Sequence, residues 1–252
     1  AAAAKLLGQA EKPAIFVGSG IFGAEKELLR VAELLEAPVV MSRTGRGAVS
    51  DRHYLAQNMI GGQELWGGAD AVLIVGTRFL APALAWGREK EVKTVRIDID
   101  PEQAVKPRPA DIGIVASART GLSLLAEQLA KHNRKRPSRK AELTALKAEV
   151  HNRLAGLEPQ HSLAKAIRDE LPDDAIIVTD VTQLATYTQY DVPIYQPRTL
   201  ITPGYQGTLG YAYPTGLGAQ VAYPDRKVVV ISGDGGFMFN VQELSTAVAH
   251  GI

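Results

Sequence analysis

The 252-residue sequence predicts an α/β protein of two domains, each built as three layers around a parallel sheet. Short runs rich in Val and Ile alternate with segments in which apolar residues recur at helical spacing. Near-continuous apolar strands of this kind are typical of parallel sheets that helices cover on both faces. The alternation occurs twice, before and after a basic stretch near residue 135, which indicates two domains rather than one.

The first predicted domain covers residues 1–133. The opening residues 1–7 are rich in Ala and Leu and predict a helix. Further helices are expected over 24–35, where Leu and Val positions group on one side, and over 119–131. Five apolar runs predict strands, and together with the helices they indicate a Rossmann-like order: 14–17, 38–41, 71–75, 95–99 and 112–115.

The stretch 131–140 contains six Lys or Arg residues. One interpretation is a patch that binds nucleic acid, but no aromatic residues interleave with the charges, as stacking on bases would require. We therefore interpret the stretch as a solvated connection between domains. The predicted linker covers 134–157 and includes a polar helix over 139–154.

The second predicted domain covers residues 158–252. Ser162 is expected to cap a helix that reaches Leu171. Strands are predicted over 175–178, 199–201 and 227–231, and helices over 216–222 and 241–250. Because a parallel sheet of this order calls for another strand after residue 252, we expect the chain to be part of a longer protein.

Charge and composition narrow the function classes. The formal net charge is +1, so the chain offers no overall electrostatic attraction for nucleic acid or a membrane surface. No apolar run approaches the roughly 20 residues that span a bilayer. The chain has no cysteine, which excludes disulfides and thiolate metal sites and fits a reducing, cytoplasmic location.

The first glycine-rich loop, Gly18-Ser19-Gly20-Ile21-Phe22-Gly23, lies between a predicted strand and helix. Its G-x-G-x-x-G spacing permits a dinucleotide pyrophosphate to approach the backbone, which would make the protein an NAD(P)-linked oxidoreductase. That function calls for an acidic residue at the end of the second strand, where this chain has Met41-Ser42-Arg43. A tight turn without a ligand explains the loop equally well, and both interpretations stay open here.

The second glycine-rich loop, Gly233-Asp234-Gly235-Gly236, follows the apolar strand 227–231. Ligands of parallel sheets bind beyond the carboxyl ends of the strands, which is where Asp234 is expected. A carboxylate there suits Mg²⁺, and the glycines leave room for a diphosphate against backbone N–H groups. By itself the tetrapeptide is also compatible with an Asp-Gly turn that binds nothing.

A longer set of motifs resembles a known family. Gly207-Thr208-Leu209-Gly210, Pro224-Asp225-Arg226, Gly233 to Phe237 and Gln242-Glu243-Leu244 are similar to the cofactor domain of thiamine-diphosphate-dependent enzymes, closest to the acetolactate synthase branch. The first domain resembles the central domain of the same enzymes. The segments that carry this second resemblance are 13–20, 69–79 and 97–101.

The resemblance implies roles for individual residues. Asp234 would bind Mg²⁺, and Gly235 and Gly236 would face the diphosphate of thiamine diphosphate. The carbonyl of Gly207 would accept from the cofactor's 4′-amino group, and Leu209 would bend the cofactor. The remaining cofactor contacts are expected from Thr208, Thr182 and Gln183.

The chain also departs from the family's pattern. Thr182 stands where the family has Gly, Leu184 where a His is frequent, and Gly204-Tyr205-Gln206 where Gly-Gly-Leu is usual. The second metal ligand, an Asn, would follow residue 252, and the activating Glu belongs to another domain. No catalytic residue is therefore assigned within this chain, which is expected to be inactive alone.

The implied activity is decarboxylation of a 2-oxoacid with carboligation, in a homodimer or homotetramer. Simple decarboxylation of a 2-oxoacid or of an oxalyl-CoA-type substrate, NAD(P)-linked oxidation, and a non-catalytic fragment remain alternatives. FAD is not expected, because residues 78–81 and 59–62 depart from the FAD-binding members, whereas an adenine nucleotide in the first domain stays open. His151 and His161 are expected to be solvated.

Overall fold

The computed structural model describes residues 1–88, 91–204 and 206–252. These residues form two compact units, 1–150 and 151–252, each organised around its own parallel sheet. The predicted α/β class with two parallel sheets is therefore confirmed. Within the described residues, no helix combines the length and apolar character that crossing a bilayer requires.

The sheet of the first unit has six parallel strands in the order β3-β2-β1-β4-β5-β6. The strands β2 and β3 lie on one side of β1, and β4, β5 and β6 lie on its other side. The direction in which strands are added therefore reverses between β3 and β4. Such a reversal leaves a crevice at the carboxyl ends of β1 and β4, where parallel α/β sheets bind ligands. The strands are β1 Pro13–Val17, β2 Val39–Met41, β3 Ala56–Gln57, β4 Ala71–Val75, β5 Lys93–Asp98 and β6 Ile112–Val115.

The alternation of side chains along each strand divides the core of this unit into two clusters. On β1, Ile15 and Val17 belong to one buried cluster, and Ala14 and Phe16 belong to the other. Residues of β4 divide in the same way. Because both faces of the strands are buried, the sequence shows continuous apolar runs rather than alternation.

Helices cover this sheet as α1 Ala2–Gln9, α2 Glu25–Leu35, α3 Met59–Trp66, α4 Leu80–Leu84 and α5 Ala118–His132. The helices α3 and α4 and the two-residue strand β3 are absent from the sequence-based assignment. Two adjacent glycines, Gly61 and Gly62, obscure the helical pattern of α3, although Asn58 caps it by accepting from the N–H of Gly61 at 2.9 Å.

Most residues of the basic stretch are exposed, and Arg136 anchors the stretch to the first unit. Arg136 Nε donates to the carbonyl of Ala10 at 3.1 Å. Its Nη2 donates to the carbonyls of Leu7, Gly8 and Ala10 at 3.0, 3.0 and 2.6 Å. These carbonyls lie at the carboxyl end of α1, where a helix leaves its last acceptors without intrahelical partners. One guanidinium therefore caps α1.

The polar helix α6, Lys140–Ala155, begins in the first unit, and the boundary between the units lies within it. Leu143 is buried in the core of the first unit. Lys147 Nζ donates to the carbonyls of Asp51 and His53, both at 2.8 Å. The amino-terminal part of α6 thus belongs to the packing of the first unit.

The second unit has a three-stranded parallel sheet in the order β8-β7-β9, with β7 Ile176–Thr179 fully buried at its centre. Among the described residues β9 pairs with β7 alone, and its first three valines are only half-buried. The other elements are β8 Leu200–Ile201, β9 Val228–Ile231, α7 Gln160–Glu170, α8 Gln183–Asp191, α9 Ala212–Ala222, α10 Asp234–Met238 and α11 Glu243–His250.

The start of α7 differs from the prediction. The helix begins at Gln160, so Ser162 lies inside it rather than at its cap. The hydroxyl and N–H of Ser162 instead donate to the carboxylate of Glu158, at 2.8 and 3.2 Å. These two bonds bring Glu158 back onto the first turn and lower the pKa of its carboxyl. Ser162 therefore stabilises the start of the helix from within.

Candidate functional site

The candidate site in the second unit lies beyond the carboxyl ends of β7 and β9. Residues 180–183 follow β7, residues 232–236 follow β9, and the loop 207–210 precedes α9. Thus all eight predicted cofactor residues belong to three segments at one edge of the sheet. Tyr205, one of the departures from the family's pattern, lies outside the described residues.

Asp180 connects these three segments and was missed in the sequence-based list of site residues. Its side chain is buried, with 1% of the residue exposed. Oδ2 accepts from the N–H of Gly210 at 3.1 Å and from the hydroxyl of Ser232 at 3.2 Å. Oδ1 accepts from the N–H of Val181 at 2.9 Å. A buried carboxylate needs several donors to offset its lost hydration, and these three supply them.

Gly236 lies directly against this carboxylate. A Cβ added at Gly236 would lie 2.8 Å from Asp180 Oδ2 and 3.2 Å from Ser232 Oγ. A Cβ added at Gly235 would meet nothing within 4 Å. Gly236 is therefore required by the packing of the site, whereas Gly235 borders open space where a ligand can approach the backbone.

Asp234 is exposed at the first position of α10. Its Oδ1 accepts from the N–H of Gly235 at 2.8 Å, and no other hydrogen bond to it is found among the described residues. Since α10 has only five residues, its contribution to binding an anion through the helix dipole is small. Within residues 1–88, 91–204 and 206–252, no group of three or more His, Asp or Glu side chains is arranged to hold a metal ion.

The loop 207–210 presents an apolar side chain to solvent. Leu209 is 46% exposed, and Thr208 is exposed beside it. Gly207 has a φ of +61°, which a residue with a side chain adopts only at a cost, and it lies near the side chain of Val181. At the end of the loop, Asn240 Nδ2 donates to the carbonyl of Gly210 at 2.6 Å.

Thr182 and Gln183 begin α8 and lie at the same edge. The hydroxyl of Thr182 caps the helix by accepting from the N–H of Ala185 at 3.0 Å. A Cβ added at Gly233 would lie 3.2 Å from the Thr182 methyl group, so the two segments are close. The side chain of Gln183 is exposed, and its Oε1 accepts from Gln160 Nε2 at 2.6 Å.

The glycine loop of the first unit packs against the end of β4. The N–H groups of Gly18 and Gly20 donate to the carbonyls of Val75 and Gly76 at 3.3 and 3.1 Å. A Cβ added at Gly20 would lie 2.7 Å from Gly76 Cα. The N–H of Gly23 donates to the carboxylate of Glu25, the first residue of α2, at 2.9 Å. Most amides that would hold a pyrophosphate are thus used internally, which favours the structural interpretation of this loop over NAD(P) binding.

A cavity of about 440 Å³ nevertheless opens beside this loop, beyond the carboxyl ends of β1, β4 and β5 and next to the start of α5. Gly20, Gly76, Asp98 and Ser117 line it, together with Phe22 and Arg119. Both Nε and Nη2 of Arg119 donate to the carbonyl of Gly23, which fixes the guanidinium at the rim. The cavity thus offers a carboxylate and a hydroxyl to a ligand.

Comparison with known protein families accounts for both units. Residues 1–125 match the model of the thiamine pyrophosphate enzyme central domain. Residues 180–252 match the model of the thiamine pyrophosphate enzyme C-terminal TPP binding domain. The chain belongs to the thiamine pyrophosphate enzymes. The order of the two matched domains agrees with the order of the two units.

Relatives within the thiamine pyrophosphate enzymes carry different names. The chain is 34% identical to a probable 2-ketoarginine decarboxylase of Pseudomonas aeruginosa, covering 98% of this chain and 45% of that protein. It is 33% identical to a probable acetolactate synthase large subunit of Methanocaldococcus jannaschii, covering 97% and 45%. It is 29% identical to the acetolactate synthase isozyme 1 large subunit of Escherichia coli, again covering 97% and 45%. The chain therefore spans less than half the length of these relatives.

The residues present fit the cofactor that defines the thiamine pyrophosphate enzymes. Gly235 borders open space, so a diphosphate can reach its backbone without displacing a side chain. Asp234 offers an exposed carboxylate oxygen, the ligand type that Mg²⁺ prefers. Asp180, by contrast, is occupied by three internal donors and is committed to structure.

Proposed function

We propose that this chain is part of an enzyme that uses thiamine diphosphate and Mg²⁺ to decarboxylate a 2-oxoacid, with carboligation to a second carbonyl compound. The observation that carries the proposal is the convergence of Asp234, Gly235 and the 207–210 loop beyond β7 and β9. These groups combine a hard oxygen ligand, an accessible backbone and an exposed apolar side chain. That combination suits a molecule with a charged diphosphate and an apolar ring.

When bound, thiamine diphosphate supplies an electron sink for breaking the bond to the carboxylate carbon. The residues of this chain would bind the cofactor and orient it. Asp234 would hold Mg²⁺ against the diphosphate, and Gly235 and Gly236 would present their backbone to it. Thr182, Gln183 and Thr208 would add polar contacts. Gly207 would accept from the pyrimidine amino group through its carbonyl, and Leu209 would support the ring from its apolar side.

The names of the relatives support both decarboxylation and carboligation. A 2-ketoarginine decarboxylase points to release of CO₂ followed by protonation, and an acetolactate synthase points to addition to a second carbonyl. We place carboligation first because the motifs resemble the acetolactate synthase branch. Product analysis with pyruvate and with 2-oxo-5-guanidinovalerate separates the two: a new carbon–carbon bond supports carboligation, and an aldehyde alone supports simple decarboxylation.

The assembly and location follow from the same proposal. We infer a homodimer or homotetramer, because the resemblance implies active sites that form between subunits, and a cytoplasmic location, which the absence of cysteine in this chain fits. The partners are small 2-oxoacids, and the net charge of +1 gives no reason to add a nucleic acid or a membrane.

The decisive experiment is titration of the full-length protein with thiamine diphosphate in the presence and absence of Mg²⁺. We expect binding that requires Mg²⁺ and that Asp234→Ala abolishes, since that substitution removes a metal ligand. Asp225→Ala is the matched control, because Asp225 is an exposed carboxylate in the turn before β9. Unchanged binding by Asp234→Ala would contradict the assignment of the metal ligand.

The cavity of the first unit favours a second ligand, an adenine nucleotide. Its volume of about 440 Å³ and the carboxylate of Asp98 suit a ribose with its base. We infer ADP rather than FAD, because residues 78–81 and 59–62 depart from the FAD-binding pattern. Equilibrium dialysis with ADP and with FAD tests the choice, and Asp98→Asn is expected to weaken ADP binding. Purification of a yellow protein that retains FAD would overturn the inference that the cavity binds ADP rather than FAD.

A further inference from the structure

The exposed amide of Gln183 is held by a residue of another helix. Gln160 Nε2, on the first turn of α7, donates to Gln183 Oε1 at 2.6 Å. A carboxamide has one oxygen and one NH₂ group on opposite sides. With its oxygen engaged by Gln160, Gln183 presents its NH₂ group away from α7. That group is a donor, which is what a diphosphate oxygen requires.

A seam of polar side chains, with Tyr187 buried at its centre, connects α7 and α8. Gln183, Tyr187 and Asp191 lie four residues apart and therefore share one face of α8. Tyr187 is 6% exposed, and its hydroxyl donates to Asp191 Oδ2 at 2.5 Å. His161 of α7 lies 2.8 Å from the same hydroxyl. His151 of α6 lies 3.1 Å from both carboxylate oxygens of Asp191.

The protons of this seam can be assigned by counting donors. Burial and then the hydrogen bond to Asp191 raise the pKa of Tyr187, so the phenol keeps its proton. Because the carboxylate of Asp191 can only accept, the tyrosine proton points to it. The Nδ1 atom of His161 must then donate to the tyrosine oxygen. Of these two histidines, which were expected to be solvated, His151 has a side chain that is 54% exposed, whereas His161 is half-buried against Tyr187.

We propose that Gln160 is a positioning residue that sets the carboxamide of Gln183 with its NH₂ group toward the diphosphate. The inference rests on the proposed function, because it assumes that Gln183 contacts the cofactor. Gln160 itself need not touch the cofactor. It acts by occupying the oxygen of Gln183, and the Tyr187–Asp191 seam keeps the two glutamines within hydrogen-bond distance.

Gln160→Glu tests the proposal because it preserves size while reversing the hydrogen-bond polarity. A carboxylate at position 160 accepts only, so Gln183 must turn its NH₂ group inward and its oxygen toward the diphosphate. We expect the affinity for thiamine diphosphate with Mg²⁺ to fall at least about tenfold in the full-length protein. Gln160→Lys keeps a donor at this position and should stay within about threefold of the parent protein.

The same substitutions in a Gln183→Ala background complete a double-mutant cycle. There, Gln160→Glu should change the affinity by less than about threefold, because only the distant charge remains. An equal loss in both backgrounds, or no loss in the parent background, would overturn the inference. Gln160→Ala provides a second route, with a loss of about two- to fivefold expected only when Gln183 is present.

Two further measurements distinguish a positioning role of Gln160 from a merely structural role and from failure of the proposed function. Thermal unfolding without cofactor should be unchanged by Gln160→Glu, because both glutamines are on the surface; a large decrease would indicate a merely structural role. If the parent protein binds no thiamine diphosphate, the proposed function fails. If the parent binds it, Asp234→Ala does not, and Gln160→Glu binds normally, only the present inference fails.

Discussion

The buried carboxylate of Asp180 accepts a hydrogen bond from the backbone N–H of Gly210, at 3.1 Å, across 30 residues of sequence. We predict that Asp180→Asn, which keeps the size but places an NH₂ group among donors, lowers the free energy of unfolding by about 1–3 kcal/mol. The cofactor affinity should fall as well, because the 207–210 loop loses its anchor. Urea unfolding and calorimetric titration measure the two effects.

Asp225→Asn serves as the control for Asp180→Asn, since it makes the same chemical change at an exposed position. It should alter neither stability nor affinity. Equal stability of Asp180→Asn and the parent protein would show that the carboxylate does not hold the loop.

The adjacent glycines Gly235 and Gly236 are predicted to respond oppositely to alanine. Gly236→Ala places a methyl group 2.8 Å from Asp180 Oδ2 and should destabilise the protein by about 1–3 kcal/mol. The methyl group of Gly235→Ala meets no atom within 4 Å, so stability should stay within about 0.5 kcal/mol of the parent protein, while binding of the cofactor should weaken. Parallel unfolding and binding measurements on both variants provide the check, and a stable Gly236→Ala protein with normal binding would contradict the packing argument.

A third prediction concerns the glycine loop of the first unit. In Gly20→Ala the added methyl group would lie 2.7 Å from Gly76 Cα, so we expect a loss of about 1–3 kcal/mol in stability. Gly68→Ala is the control, because its nearest neighbour would be the flexible Lys12 side chain at 3.6 Å. Differential scanning calorimetry measures both. Should Gly20→Ala keep full stability but lose binding of NADPH, the dinucleotide interpretation would be restored.

Arg136→Lys is predicted to destabilise the first unit although the charge is retained. A lysine amine cannot reproduce the fork that contacts the carbonyls of Leu7, Gly8 and Ala10, so a cost of about 1–2 kcal/mol is expected. Lys135→Ala removes a neighbouring exposed charge and should change stability by less than about 0.5 kcal/mol. Equal effects of the two substitutions in urea unfolding would contradict the anchoring role of Arg136.

The burial of Lys147 predicts a stability change with pH. Burial lowers the pKa of this amine from its ordinary 10.5, so the unfolded chain binds the extra proton between the folded pKa and 10.5. The free energy of unfolding therefore contains a contribution that is fully present above pH 10.5 and is lost as pH falls through the folded pKa. Stability of the parent protein relative to Lys147→Met should rise from pH 8 to 10.5, and a flat difference would contradict it.

The strands and the two-domain α/β order could be predicted from the sequence because they depend on local patterns. The run 71–75 is apolar at every position and forms β4 over Ala71–Val75. The short helices α3 and α4 could not be found in this way, because glycines and prolines interrupt their pattern and tertiary contacts support them. Ser162 was misplaced because Glu158, four residues earlier, offers its hydroxyl a partner.

Asp180 and Gln160 show why part of the site escaped detection. An acidic residue directly after a buried strand, at the edge that also holds Asp234, was a usable signal for Asp180. For Gln160 the sequence offers no signal, because its partner lies 23 positions away on another helix. The roles of Thr182, Gln183, Gly207, Thr208, Leu209, Asp234, Gly235 and Gly236 stay predictions that the binding experiments address.

By itself the sequence determined the fold class, the absence of thiol chemistry and the motifs that identify the family, since each depends on residue type and short-range spacing. Only the tertiary structure decided which polar groups are used in internal hydrogen bonds and which remain accessible to a ligand. It turned Asp180 into a buried anchor, left Asp234 exposed, and used the amides of the first glycine loop internally. The physical reason is that burial and hydrogen bonding depend on groups far apart in the chain, which become neighbours only when the sheets form.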